Sequence, residues 1–236
     1  MKGLYGLIDF LALAVPLAFS FHPRIKFYHW WKAWMRAIFL VALLFLAFDA
    51  LFTGLGVWSF NPRYLCGLQV INLPIEEILF FFCIPYSCLF TYYCLDKFFD
   101  LSWNPAAENA VCLVVSVALL VTGLIYRQRL YTSSTFISTA VICLLIKFAG
   151  RAHWFGKSIT VFGVLLVPFF LVNGVLTGTG LAEPIVRYNN LQNLGIRVLT
   201  IPIEDFFYGF ELFVLNLFFY FRFGGQTTVL ARLQTS

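Results

Sequence analysis

Charge is what this sequence has least of. Only 11% of its 236 residues are Asp, Glu, Lys or Arg, against about a quarter in a soluble domain. Hydrophobic residues make up 61%, and the mean hydropathy is +0.86. Such a chain cannot cover itself with polar surface in water, so a soluble fold is excluded. The apolar runs are long, which favours spanning helices over a membrane β-barrel. Histidine is scarce, with three copies, and no acid cluster has further ligands at metal spacing, so no metal site is indicated. No CxxC occurs among the six cysteines. Cys83, Cys88, Cys94, Cys112 and Cys143 sit in apolar runs and read as buried free thiols rather than metal ligands or disulfides. No GxGxxG follows a strand-like segment, so there is no dinucleotide-binding unit. No small-residue cleavage site follows the apolar stretch at 4–20. The basic, aromatic "FHPRIKFYHWWK" does, so 4–20 reads as a retained span.

What is there is a set of seven apolar segments, at about 4–20, 35–56, 75–95, 110–126, 131–148, 158–179 and 201–221. Each is close to the ~20 residues a helix needs to cross a bilayer. The net charge of +5 does not call for nucleic acid, because the basic residues lie between the apolar runs, where lipid head groups and topology account for them. With seven spans, one face carries six cations: Lys2, Arg63, Arg127, Arg129, Arg187 and Arg197. The other carries ten: Arg24, Lys26, Lys32, Arg36, Lys97, Lys147, Arg151, Lys157, Arg222 and Arg232. The excess predicts a multi-pass protein of the inner cell membrane, with the N-terminus outside and the C-terminus in the cytoplasm.

The chain also matches itself. At a shift of 124, His29-Trp30 falls on His153-Trp154, "DALFTGLG" (49–56) on "NGVLTGTG" (173–180), and Arg63-Tyr64 on Arg187-Tyr188. After four extra residues, at a shift of 128, "GLQVINLPIEE" (67–77) falls on "GIRVLTIPIED" (195–205). The predicted architecture is an all-α bundle of two parallel three-span repeats, 1–100 and 128–236, joined by a linking span in 101–127. Units offset by four spans share one orientation, so their axis of pseudo-symmetry runs along the membrane normal. Both His-Trp pairs then lie on the face opposite the acids described next, as interface anchors.

Each repeat places two adjacent acids at the mouth of an oily segment: Glu76-Glu77 after Pro74, and Glu204-Asp205 after Pro202. Acids suit a helix start, but a plain helix start does not need the deeper polar groups also present. Asp49 lies within the second segment, where the other repeat has Asn173. Glu204, Tyr208, Glu211 and Leu215 fall on one helical stripe. A carboxyl inside the hydrocarbon edge costs free energy and usually faces the bundle interior and works there. Paired acids in a site of low dielectric share a proton, so one can donate while its neighbour accepts or steadies a cation. The aromatic runs at Phe80-Phe81-Phe82, 206–208 and 218–221 would set ring faces beside them.

Two copies of Pro-x-Glu-Glu/Asp, "PIEE" and "PIED", in a duplicated seven-span chain of this length resemble the integral-membrane, non-flavin lycopene cyclases. That family also occurs as two small subunits or fused to phytoene synthase. The resemblance covers about 4–222 and implies a lycopene β-cyclase, an intramolecular lyase or isomerase without cofactor. Its substrate would be lycopene or a related linear carotenoid, and the products γ- and β-carotene. The roles it carries over fall on Glu76, Glu77, Glu204 and Asp205, with Asp49, Tyr208, Glu211, Phe80 and Phe81 as substrate- or cation-stabilising candidates. Expected partners are the polyene, membrane lipid and other enzymes of carotenoid synthesis. Cyclases that act on a C50 substrate or form an ε-type ring stay open, as does a different class, a small proton-coupled transporter. "DKFFD" (96–100) has the DxxxD spacing of diphosphate binders but reads as a solvated loop end.

Overall fold

The computed structural model describes residues 2–225. Arg232, counted above, lies outside them, as does the last part of the 128–236 repeat. Seven α-helices are found among the described residues: α1 (Leu4–Phe19), α2 (Trp31–Gly54), α3 (Ile75–Phe98), α4 (Pro105–Ile125), α5 (Leu130–Leu144, widening to a π turn over Leu145–Ala149), α6 (Phe155–Leu176) and α7 (Ile203–Arg222). Each corresponds to one expected segment. Three start three to five residues early. The "PAAENA" start of α4 is not apolar, yet it is helical because Asn104 accepts from the Ala106 N–H at 2.9 Å and Pro105 takes the first helical position.

Five helices are long and apolar enough to cross a membrane, counting α2 together with the short 3₁₀ turn before it. Helix α1 is apolar but has 16 residues, and α7 carries Glu204, Asp205 and Glu211. Rows of exposed leucines and valines such as Val114 and Leu124 on α4 are tolerable only against lipid. The acid-bearing helices are central. Helix α3 packs on α1, α2, α6 and α7, and α7 packs on α2, α3, α5 and α6, while α4 lies outside against α5. Residues 211–217 of α7 are buried without a break, as expected of a helix enclosed on all sides.

Before each acid pair stands a small hairpin. Strand β2 (Gln69–Val70) pairs with β3 (Leu73–Pro74), and β5 (Arg197–Val198) with β6 (Ile201–Pro202). Their turns hold Ile71 at φ +62° and Leu199 at φ +57°, a left-handed conformation that branched residues rarely adopt. Both hairpins are pinned in the same way. Asn72 Nδ2 donates to the Ala50 carbonyl at 2.8 Å, and Thr200 Oγ1 to the Gly174 carbonyl at 3.2 Å. These are equivalent atoms of the two repeats. On the same face β1 (Trp58–Phe60) pairs antiparallel with β4 (Val186–Tyr188), so one ladder joins the halves.

Two expectations are corrected. The rings at 218–221 are not beside the acids. Phe221 packs on Tyr92 and Trp154 at the opposite end of the bundle, because 13 to 16 helical residues after Asp205 span roughly 20–24 Å. "DKFFD" is not a solvated loop end either. Helix α3 runs on to Phe98, and Asp96 is buried in an ion pair with Lys157 at 2.6 Å.

Candidate active site

The acids begin α3 and α7 because the hairpins end in Pro74 and Pro202, which close the strand and supply the residue before each helix. All four are buried. Within each pair the two side chains part company, as residues about 100° apart on a helix must. The first member turns to the loops. Glu76 Oε1 accepts from the Cys66 N–H at 2.6 Å. Glu204 Oε1 accepts from the Leu194 N–H at 2.7 Å and from Thr132 Oγ1 at 2.6 Å. The second member turns inward. Glu77 and Asp205, one from each repeat, line a single cavity of about 610 Å³.

A phenol meets each inward acid. Tyr5, at the start of α1, donates to Glu77 Oε2 at 2.5 Å. Tyr131, at the start of α5, donates to Asp205 Oδ1, and Tyr188 of β4 to Asp205 Oδ2 at 3.0 Å. Burial, and the Asp205 carboxylate beside it, push the Tyr188 phenol well above its ordinary pKa and keep it a donor. Both Asp205 oxygens are thus acceptors, while Glu77 Oε1 receives no hydrogen bond from the described residues. Asp49 also lines the cavity. Its Oδ1 accepts from Trp58 Nε1 at 2.6 Å, and its Oδ2 has no partner among the described residues.

Aromatic rings complete this end. Tyr131 stacks on Tyr188 with centroids 5.6 Å apart and meets Trp58 edge-on at 5.2 Å. Phe80, Phe81 and Tyr208 belong to the same wall. The β1–β4 ladder contributes Trp58, Phe60, Val186 and Tyr188, so it roofs the acids. Away from the roof the lining turns apolar. On α3 it runs from Glu77 to Thr91, roughly 21 Å of helix. The prolines inside α1, α3 and α6, Pro16, Pro85 and Pro168, all border it. Pro16 cannot bond back to the Ala12 carbonyl, and Ser87 Oγ of α3 donates to that oxygen instead, at 2.9 Å. Leu11 of α1 and Leu171 of α6 line the cavity and yet are 60% and 69% exposed, so it opens sideways toward lipid between these helices.

The family model for lycopene cyclase matches the chain twice, over residues 2–95 and 128–223. This chain belongs to the lycopene cyclase family. No curated protein and no solved structure matches it. The family makes it a membrane enzyme that cyclises carotenoids, and the transporter alternative falls with that membership. Tyr5 and Tyr131 each donate to the inward acid of their own repeat, which sets them opposite one another, 126 positions apart, a register between those of the repeat seen above.

Of the residues singled out from the sequence, the cavity gathers Glu77, Asp205, Asp49, Tyr208, Phe80 and Phe81. It does not gather Glu76, Glu204 or Glu211. Glu211 faces α5, accepting from Ser138 Oγ at 2.7 Å and Thr139 Oγ1 at 2.9 Å. Sequence reasoning missed Tyr5, Trp58, Tyr131 and Tyr188, and it missed Asp9, buried in α1. The tyrosine shared by the starts of the first and fifth segments was the available signal for one pair.

Proposed function

We propose that this protein is a lycopene β-cyclase, closing the ends of linear C40 polyenes to β-ionone rings without redox change. The observation that carries this reading is the convergence of Glu77 and Asp205 on one apolar, aromatic-walled cavity. The polyene enters from the bilayer between α1 and α6, its end directed to the roofed acids. Protonation of the terminal double bond leaves a tertiary cation. The neighbouring double bond attacks it, forming the ring carbon–carbon bond, and loss of an adjacent proton creates the ring double bond. One proton enters and one leaves.

Glu77 is the donor in this scheme. A protonated carboxyl needs one oxygen free to carry the hydrogen, and Glu77 Oε1 is unbonded while Tyr5 holds Oε2. Asp205, accepting from two phenols, is arranged as the carboxylate and takes the departing proton. Asp49 and the faces of Trp58, Tyr131 and Tyr208 steady the cation between these steps, and the roof keeps out water that would trap it. Glu76 and Glu204 hold the loops in place.

We also propose the division into 1–100, 101–127 and 128–236, with the hairpin face outside. That face carries Lys2, Arg63, Arg127, Arg129, Arg187 and Arg197, and the opposite one the larger share of cations. Expression in cells that accumulate lycopene tests the function. Pigment should shift from red to orange or yellow, and chromatography should identify β-rings. A product with ε-rings or from a C50 polyene alone would replace the reading with one of those relatives, and untouched lycopene with no cyclised polyene would refute it.

A further inference from the structure

The repeat supplies an internal control for the acids outside the cavity. At the register that pairs Tyr5 with Tyr131, Gly6 pairs with Thr132 and Asp9 with Thr135. In the second repeat Thr132 donates to Glu204 Oε1 and Thr135 is buried. In the first repeat Gly6 leaves room instead. A Cβ there would stand 3.5 Å from Glu76 Cγ, so Glu76 lies over the α1 backbone. One turn on, Asp9 is 2% exposed, and neither of its oxygens has a hydrogen-bond partner among the described residues. It follows Gly6, which Glu76 overlies, and Tyr5, which holds Glu77, by about one helical turn on α1, the helix packed along α3. Glu76 Oε2 is likewise buried and unpartnered, while its Oε1 is held by the Cys66 N–H, at an exposed residue of the hairpin face. A threonine suffices for packing at the equivalent position, so the fold does not ask for a carboxyl in α1, and an unpaired one in the hydrocarbon layer is costly.

On the reading of Glu77 as donor, each ring leaves Glu77 without its proton and Asp205 with one too many. We propose that Asp9 and Glu76 reload Glu77 from the hairpin face, acting through Glu77 and not on the polyene. The Asp9 carboxyl passes its proton to the Glu77 carboxylate, Asp9 regains one from Glu76, and Glu76 from water at the Cys66 loop. Asp205 releases its extra proton on its own side, beside Tyr188 of the surface strand β4. No proton is gained or lost overall. The first repeat is thus the input side, and the second, with threonines at 132 and 135, is the output side.

The test uses purified full-length protein in lipid vesicles loaded with lycopene and equilibrated in D₂O. Wild type should place one deuterium in each ring at every turnover, because solvent reloads the donor. Asp9→Asn, and Asp9→Thr, which copies the second repeat, should form the first ring per enzyme at the normal rate. They should then turn over at least tenfold more slowly, with less than one deuterium per later ring as substrate-derived hydrogen is recycled from Asp205. Asp9→Glu should restore both. The relay is overturned if the Asn and Thr variants keep wild-type turnover and deuterium content. It is equally overturned if they lose the first ring and later ones alike, which marks a merely structural residue. Wild type that leaves lycopene unchanged sinks the cyclase reading itself, and the relay with it.

Discussion

Glu77 and Asp205 occupy the same place in two repeats and face one cavity, not two. The duplicated chain thus lines a single cavity with one acid from each copy. Two inequivalent environments surround them, one phenol on Glu77 and two on Asp205.

If the two acids serve one site, neither is dispensable for a single ring. Glu77→Gln and Asp205→Asn should each lower formation of the monocyclic product by at least ~100-fold. The double variant should be little worse than either single one. Chromatography of pigments from lycopene-accumulating cells checks this. A single variant that stops only the second ring would indicate one site per repeat.

The two outward acids should behave differently. Glu204→Ala strands the Leu194 N–H and the Thr132 hydroxyl, a loss of about 1–3 kcal/mol that should appear as a lower melting temperature in detergent. Glu76→Gln keeps an acceptor for the Cys66 N–H and should melt near wild type while turning over more slowly.

Trp58 both bonds Asp49 and offers its ring to the cavity. Trp58→Leu should remove a ring face worth about 0.5–2 kcal/mol to a cation, hence roughly 2- to 30-fold in rate. Trp58→Phe keeps a ring and should recover part of it. Initial rates of ring formation measure both.

At the lateral opening, Leu11→Trp with Leu171→Trp narrows the way in from lipid. The rate at low lycopene should fall several-fold more than the rate at saturation. Both positions are exposed to lipid, so the melting temperature should stay near wild type. Equal loss at all substrate levels would place the opening elsewhere.

Much of this was legible in the sequence. Seven helices follow from the apolar segments, and the repeat from matched His-Trp, Thr-Gly and Pro-Ile-Glu. The acid pairs stand out because hydrocarbon tolerates so few of them. The roles within each pair were not legible, since either member could turn inward depending on helix rotation. Tyr5 and Tyr131 lie in segments that share Leu4-Tyr5, Phe10 and Ala14-Val15 with Leu130-Tyr131, Phe136 and Ala140-Val141, but at a shift of 126 that the registers of 124 and 128 do not reach. Trp58 and Tyr188 meet the site through a strand pairing that bridges 130 positions, which no local pattern announces. Glu211 misled because a stripe on α7 can face a neighbouring helix as well as a cavity.

On the proposed reading, a rod with two alike tips meets a socket that takes one tip at a time. After the first closure the half-finished molecule must back out through the gap between α1 and α6, reverse in the bilayer and return. The ratio of singly to doubly closed pigment is then a contest between rebinding and displacement by fresh chains, set by crowding of polyene in the lipid as much as by anything in the socket.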